Sequence, residues 1–210
     1  MKRLSVRRGF TLPELMIVVA VAAILLTLSA PSLFEFIRIQ RLKGVHAQVM
    51  TDMQFARTEA ASRGLAVNVY IRPASADNAV ACYILFTDTD RDEVPSQRCD
   101  CQRPEGNRCT SADASEIRSV LLETGGIALA VPGNQADHFA FDPISGSMIY
   151  PVTEDGAGDG EPFQIITSLD TARSLGVSVG VSGRPSACKP TGSTMNEPGT
   201  ACPVAAPPAP

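Results

Sequence analysis

"RRGFTLPELMIVV", residues 7–19, opens a largely apolar run that reaches Phe34, with Glu14 its one charged residue and Thr11, Thr27, Ser29 and Ser32 its uncharged polar ones. About 20 apolar residues span a bilayer as a helix, so the run is read as a membrane segment. Lys2, Arg3, Arg7 and Arg8 precede it. Positive residues stay on the cytoplasmic side, which places everything after Phe34 outside. A secretory signal peptide shares the charged start and apolar core. Here, however, "LSAPS" (28–32) sets Pro31 where a small-residue cleavage site is needed. Glu14 is the anomaly, because an ionised carboxylate among lipid tails is costly and marks a function.

The helical pattern continues past the apolar run. Leu42, Val45, Val49, Met53, Ala56 and Ala60 recur at steps of three and four, and no proline falls between Ser32 and Arg63. This spacing predicts a stripe facing a core, with Gly64 as the cap. One helix within residues 10–64 follows, its first half in the membrane and its second half packed, about 50 residues and so roughly 75 Å long at 1.5 Å per residue. Pro31 is the expected kink. The methionines and Phe55 are read as packing residues.

After Gly64 the period changes to that of strands. "LAVNVYI" (65–71), "VACYILFT" (80–87), "IRSVLL" (117–122), "IALAV" (127–131), "HFAFD" (138–142), "SMIYPV" (147–152), "FQIITS" (163–168) and "GVSVGVS" (176–182) are the candidates. "DPISG" (142–146) reads as a hairpin connection and "EDGAGDGEP" (154–162) as a loop. The fold class is therefore α+β: a long N-terminal helix on an antiparallel sheet domain over residues 65–186. Residues 187–210, rich in Pro and Gly, are expected to form a mobile tail.

All six cysteines, Cys82, Cys99, Cys101, Cys109, Cys188 and Cys202, lie beyond the membrane segment. An even count outside the cytoplasm reads as disulfides. Cys188 and Cys202 bracket a proline- and glycine-containing loop and are paired on that basis. Cys99 and Cys101 are too close in sequence to bond each other comfortably, which leaves Cys82 with one of them and Cys109 with the other. A zinc site from Cys99, Cys101 and Cys109 lacks the usual paired-ligand spacing. Asp88, Asp90 and Asp92 alternate as at the start of a calcium loop, but Glu93 stands where the turn glycine belongs and Cys99 where the bidentate glutamate belongs. The acidic stretch is read as a solvated tip, and neither a metal nor another cofactor is expected. His46, placed on the helix surface, and His138, placed beside a strand, have no ligand or nucleophile partner in sequence. With no nucleophile or acid–base motif present, no catalytic residue is assigned and an enzyme is not expected.

The N-terminal stretch "GFTLPELMIVVAVAAILLTLSAP" resembles the signal of type IV pilins and type II secretion pseudopilins. "MQFARTEAASRG" (53–64), "FDPISG" (141–146) and "VSVGVSGRP" (177–185) are similar to the GspH/FimT branch of minor pilins and pseudopilins. The resemblance implies a type IV pilin-like fold with residues 1–9 as leader. It implies cleavage by a prepilin peptidase between Gly9 and Phe10, N-methylation of Phe10, and a role for Glu14 in subunit assembly. Pro13 replaces the commoner isoleucine. Glu14 would neutralise the new α-amine of a neighbouring chain, an attraction far stronger at low dielectric than in water.

The function implied is a structural minor pilin (FimT/FimU-like) that joins or primes a type IV pilus. Its location would be the bacterial inner membrane, with the N-terminus cytoplasmic and the rest periplasmic until assembly. Its partners would be other pilins or pseudopilins, the prepilin peptidase and the membrane. The first alternative is a type II secretion minor pseudopilin (GspH-like). The second is a DNA-binding competence pilin, because some members of the branch bind DNA through a Gly-Arg-x-Arg motif. Gly183, Arg184, Pro185 and Ser186 match only its first half, with Lys189 nearby. From Gly64 onward nine lysines and arginines face eighteen acidic residues, a formal charge of −9. Phosphate binding needs clustered positive charge, so DNA is not the expected partner.

Overall fold

Helix α1 runs from Leu12 to Arg63, 52 residues. The computed structural model describes residues 11–75, 80–89, 98–122, 126–132, 137–149, 162–196 and 199–203, the side chains of 28–31 excepted. Gly9, Phe10, the 154–161 loop, Asp90, Asp92 and the side chain of Pro31 therefore lie outside the described residues. The chain divides into two compact units, residues 1–40 and 41–210. In the first, almost every large apolar side chain from Leu12 to Ile37 is exposed.

In the second unit the stripe of α1 is buried: Leu42, Val49, Met53, Ala56 and Ala60 reach 1% exposure or less. The helix stops at Gly64, whose N–H donates to the Ala60 carbonyl at 3.0 Å. Strands β1 (Val67–Arg72), β2 (Cys82–Asp88), β3 (Ala114–Leu121), β5 (His138–Phe141) and β6 (Met148–Ile149) form a first sheet in the order β3-β2-β1-β5-β6. A second sheet has the order β10-β9-β8-β7-β4. Its strands are β4 (Ala128–Ala130), β7 (Phe163–Ser168), β8 (Ser174–Val179), β9 (Pro185–Lys189) and β10 (Thr200–Ala201). One core joins the helix to both sheets, with Val49, Met53 and Ala56 against Val67, Val69, Phe139 and Phe141 of the first and Phe163, Ile165 and Val177 of the second. Alternation explains the choice of residues: Val67, Val69 and Ile71 share one face of β1, and Phe139 and Phe141 share one face of β5.

The other face of β1 and β2 is covered by the chain's own loop. Tyr70, Cys82, Ile84 and Phe86 pack with Cys99, Cys101 and Ala114, stapled by the disulfides Cys82–Cys101 and Cys99–Cys109. The β2–β3 register shifts between Leu85 and Phe86, and the bulge re-aims the edge strand. Glu116 and Arg118 are two apart, yet Glu116 pairs with Arg108 of the covering loop while Arg118 reaches Asp52 of the helix.

Two expectations are corrected. Within the expected tail 187–210, the described residues up to 203 are not separate from the sheet: β9 crosses the expected boundary at 187, β10 lies beyond it, and the disulfide Cys188–Cys202 links β9 to the residue after β10. The reason is non-local, because Cys188 stands opposite Gly176 of β8 and Thr200 stands opposite Cys188. The α+β architecture is as expected, a long helix followed by a domain of antiparallel strands; those strands form two sheets, and the short β9–β10 pair is parallel. His46 is buried, at 9% exposure. It follows Leu42 by four residues and precedes Val49 by three, so it sits on the buried stripe and lies beside Leu175 and Met195.

Candidate assembly surfaces

The first unit offers a bare apolar helix. Leu12, Leu15, Met16, Val19, Ala20 and Ala23 line one shallow surface, as residues three and four apart must on a helix. Glu14 lies in the first helical turn, exposed, and among the described residues it has no ion-pair partner. The helix start is closed by the Leu15 N–H donating to the Thr11 carbonyl at 3.1 Å. A carboxylate at this position faces the positive end of the helix dipole. Among the described residues no single helix is long and apolar enough to cross a membrane, while Leu12–Thr27 and Ser32–Arg63 qualify as a pair by length and composition.

In the second unit the three later stretches singled out in sequence meet. Arg57 of α1 donates from Nε to the Gly146 carbonyl at 3.0 Å. That carbonyl in turn lies against Gly183, where any Cβ would overlap it. Gly146 and Gly183 both have positive φ, 65° and 72°, which suits glycine. Asp142 shapes the first turn: its Oδ1 accepts from the N–H groups of Ile144 (2.9 Å) and Ser145 (2.7 Å). The Met148 N–H donates to the Val181 carbonyl at 2.9 Å, linking the two turns and hence the two sheets. Arg57 reads in sequence as a solvated helix residue, and nothing local distinguishes it.

A second lock fixes the helix to the first sheet. Asp52 is 1% exposed and its Oδ2 accepts from the Tyr83 hydroxyl at 2.7 Å, while Arg118 approaches its Oδ1 at 3.1 Å. Burial first, then the hydrogen bond to Asp52, raises the Tyr83 pKa above its usual value. Loss of the phenol proton would put a second negative charge beside a buried carboxylate.

The remaining residues singled out in sequence do not assemble into a ligand site. Asp88 is buried and paired with Arg98 at 2.6 Å, so it faces a guanidinium rather than solvent. No group of three acidic, histidine or cysteine side chains able to hold a metal occurs among the described residues. Arg184 and Lys189 are both exposed, but they are five residues apart along β9 and its lead-in. That is about 17 Å of chain if fully extended. His138 lies at the start of β5 with Nδ1 2.9 Å from Asp137 Oδ1.

Comparison with known proteins bears on the same regions. Residues 4–30 match the prokaryotic N-terminal methylation motif, and residues 47–183 match the family described as type II transport protein GspH. No curated protein matches the chain. Among solved structures, the type IV minor pilin FimU of Pseudomonas aeruginosa strain PAO1 is similar in two crystal forms. The P21 form is 13% identical, with a TM-score of 0.45 over 70% of this chain and 88% of that one. The P65 form is also 13% identical, with a TM-score of 0.39 over 71% and 89%.

Proposed function

The chain belongs to the GspH family of type II transport proteins, and from that premise we propose that it is a structural minor pilin of a type IV pilus. In this reading a prepilin peptidase cuts between Gly9 and Phe10 and the new Phe10 amine is methylated. The mature chain sits in the inner membrane with its second unit periplasmic until it joins or primes a filament. It works by assembly with other pilins and not as an enzyme.

The observation that carries the reading is Glu14: a carboxylate with no partner among the described residues, on a helix otherwise apolar and exposed from Leu12 to Thr27. Left alone in lipid it would be penalised. Beside the α-amine of a neighbouring subunit it is neutralised, and the attraction holds only at the axial stagger that brings the two together. The family's description favours a second reading, a type II secretion minor pseudopilin, which would use the same leader, cleavage and glutamate. DNA uptake is disfavoured by the formal −9 beyond Gly64 and by the separation of Arg184 from Lys189.

The test is incorporation. Glu14→Ala should insert into the membrane at least as well as the parent chain and be lost from sheared filaments. Co-purification of the variant with filaments at the parental level would refute the pairing role. Deleting the chain in a strain that has both systems and scoring piliation against protein secretion separates the two readings.

A further inference from the structure

The outer edge of the second sheet is closed by a short piece of the same chain. Thr200 and Ala201 lie parallel to Cys188 and Lys189, and the Cys202 N–H donates to the Lys189 carbonyl at 2.9 Å. The seat is shaped for this segment. A Cβ at Gly176 would meet Cys202 Sγ at 2.5 Å and Cys188 Sγ at 2.7 Å, so only a glycine leaves room for the disulfide. A Cβ at Gly199 would come within 2.9 Å of the Ala187 carbonyl oxygen. Gln164 of β7 donates from its amide to the Pro203 carbonyl.

The hold is slight beside the fit. Two strand residues pair with β9, and a lone short pairing is marginal without further support. The Cys188–Cys202 bond supplies that support. Of the three disulfides, Cys82–Cys101 is buried at both ends, whereas Cys99–Cys109 and Cys188–Cys202 each join a buried cysteine to a partly exposed one, Cys109 and Cys202.

We propose that the β9 edge is a strand-acceptor site, occupied in this structure by residues 199–203 of the chain itself, and that the same segment of a second copy takes the site when the resident segment is displaced. An open strand edge presents backbone donors and acceptors to any extended chain. The Gly176 notch, the Ala187 contact and the Gln164 amide make it selective for Gly-Thr-Ala-Cys-Pro. The tether gives the resident segment an effective concentration near the millimolar range, so exchange requires a dithiol reductant that takes Cys188–Cys202 to two thiols while itself becoming a disulfide, followed by subunits crowded against one another.

The exchange has a covalent readout. In the full-length chain, purified in detergent, Cys202→Pro removes both the sulfur and the N–H that bonds Lys189, and frees the Cys188 thiol. The probe is a synthetic peptide of residues 196–204 whose cysteine is carried as a mixed disulfide with thionitrobenzoate. The Cys188 thiolate attacks the peptide sulfur, a new S–S bond forms, the old one breaks, and thionitrobenzoate leaves with the electron pair and is read by its absorbance. Release should be about tenfold or more faster than with a scrambled peptide of the same composition, the gain expected from seating before reaction. Peptide mapping should place the new bond at Cys188 with Cys82–Cys101 and Cys99–Cys109 intact. Should the proline variant lose those two disulfides, Cys202→Ser is read with the same two peptides. Equal rates for the native and scrambled sequences in a variant that keeps both disulfides would overturn the proposal.

Discussion

The two halves of α1 use similar residues to opposite ends. Leu12 and Met16 are 74% and 69% exposed, while Leu42 and Met53 are at 0%. The difference lies in distribution. From Leu12 to Leu26 apolar residues face every direction, with Glu14 the lone charge, so no single packing surface could cover them. From Leu42 to Ala60 the apolar residues keep to one stripe and the sheets of the same chain cover it. A helix apolar all round needs an apolar surrounding; a helix with one stripe needs only a core.

Substitution can break that contrast. Met53→Ala should cost about 2–5 kcal/mol in unfolding of the second unit, the usual range for emptying a core site. Met16→Ala, the same change in the first half, should leave that transition unmoved. Denaturant titration of both variants in detergent decides it, and equal losses would show that the two halves do not differ as described. The two-turn clasp comes next. Gly183→Ala adds a strained positive φ and an overlap with the Gly146 carbonyl, for about 1–3 kcal/mol. Gly44→Ala, where a Cβ meets nothing within 4 Å, should be neutral or slightly stabilising.

A smaller effect appears with pH. The folded-state pKa of Tyr83 is raised, by burial first and by Asp52 second. A raised pKa means that the fold favours the neutral phenol. The stabilisation is complete below the unfolded value of about 10 and is lost as pH rises above it. The second unit should therefore weaken above about pH 10, and Tyr83→Phe should flatten that dependence. Thermal melts of parent and variant between neutral and strongly alkaline pH give the comparison, and parallel curves would remove Tyr83 from the account.

Periodic features were legible in advance because periodicity is local. The stripe from Leu42 to Ala60 and the strand Phe163–Ser168 could be read from spacing alone. What escaped was set at a distance. β9 starts with a proline and carries Cys188 next to its end at Lys189, and Gly176 opposite that cysteine leaves room for its disulfide. Arg57 belongs to the clasp through a carbonyl 89 positions away. Arg118 turns toward Asp52 only because a bulge shifts the register beside it. On the assembly side, Glu14 stood out because a carboxylate in an apolar run is conspicuous on chemistry alone. His46 misled because its polarity suggested the surface while its spacing put it on the buried stripe.

The claim that the first half of α1 is a processed pilin helix is tested most directly at its N-terminus. Intact-mass and N-terminal peptide measurements on the protein from cells with and without the prepilin peptidase read it in one step. The account predicts a mature chain beginning at N-methylated Phe10 when the peptidase is present, the uncut chain when it is absent, and no cleavage in Gly9→Val. A mature chain that begins at Met1, or near Ala30, in peptidase-containing cells would contradict it.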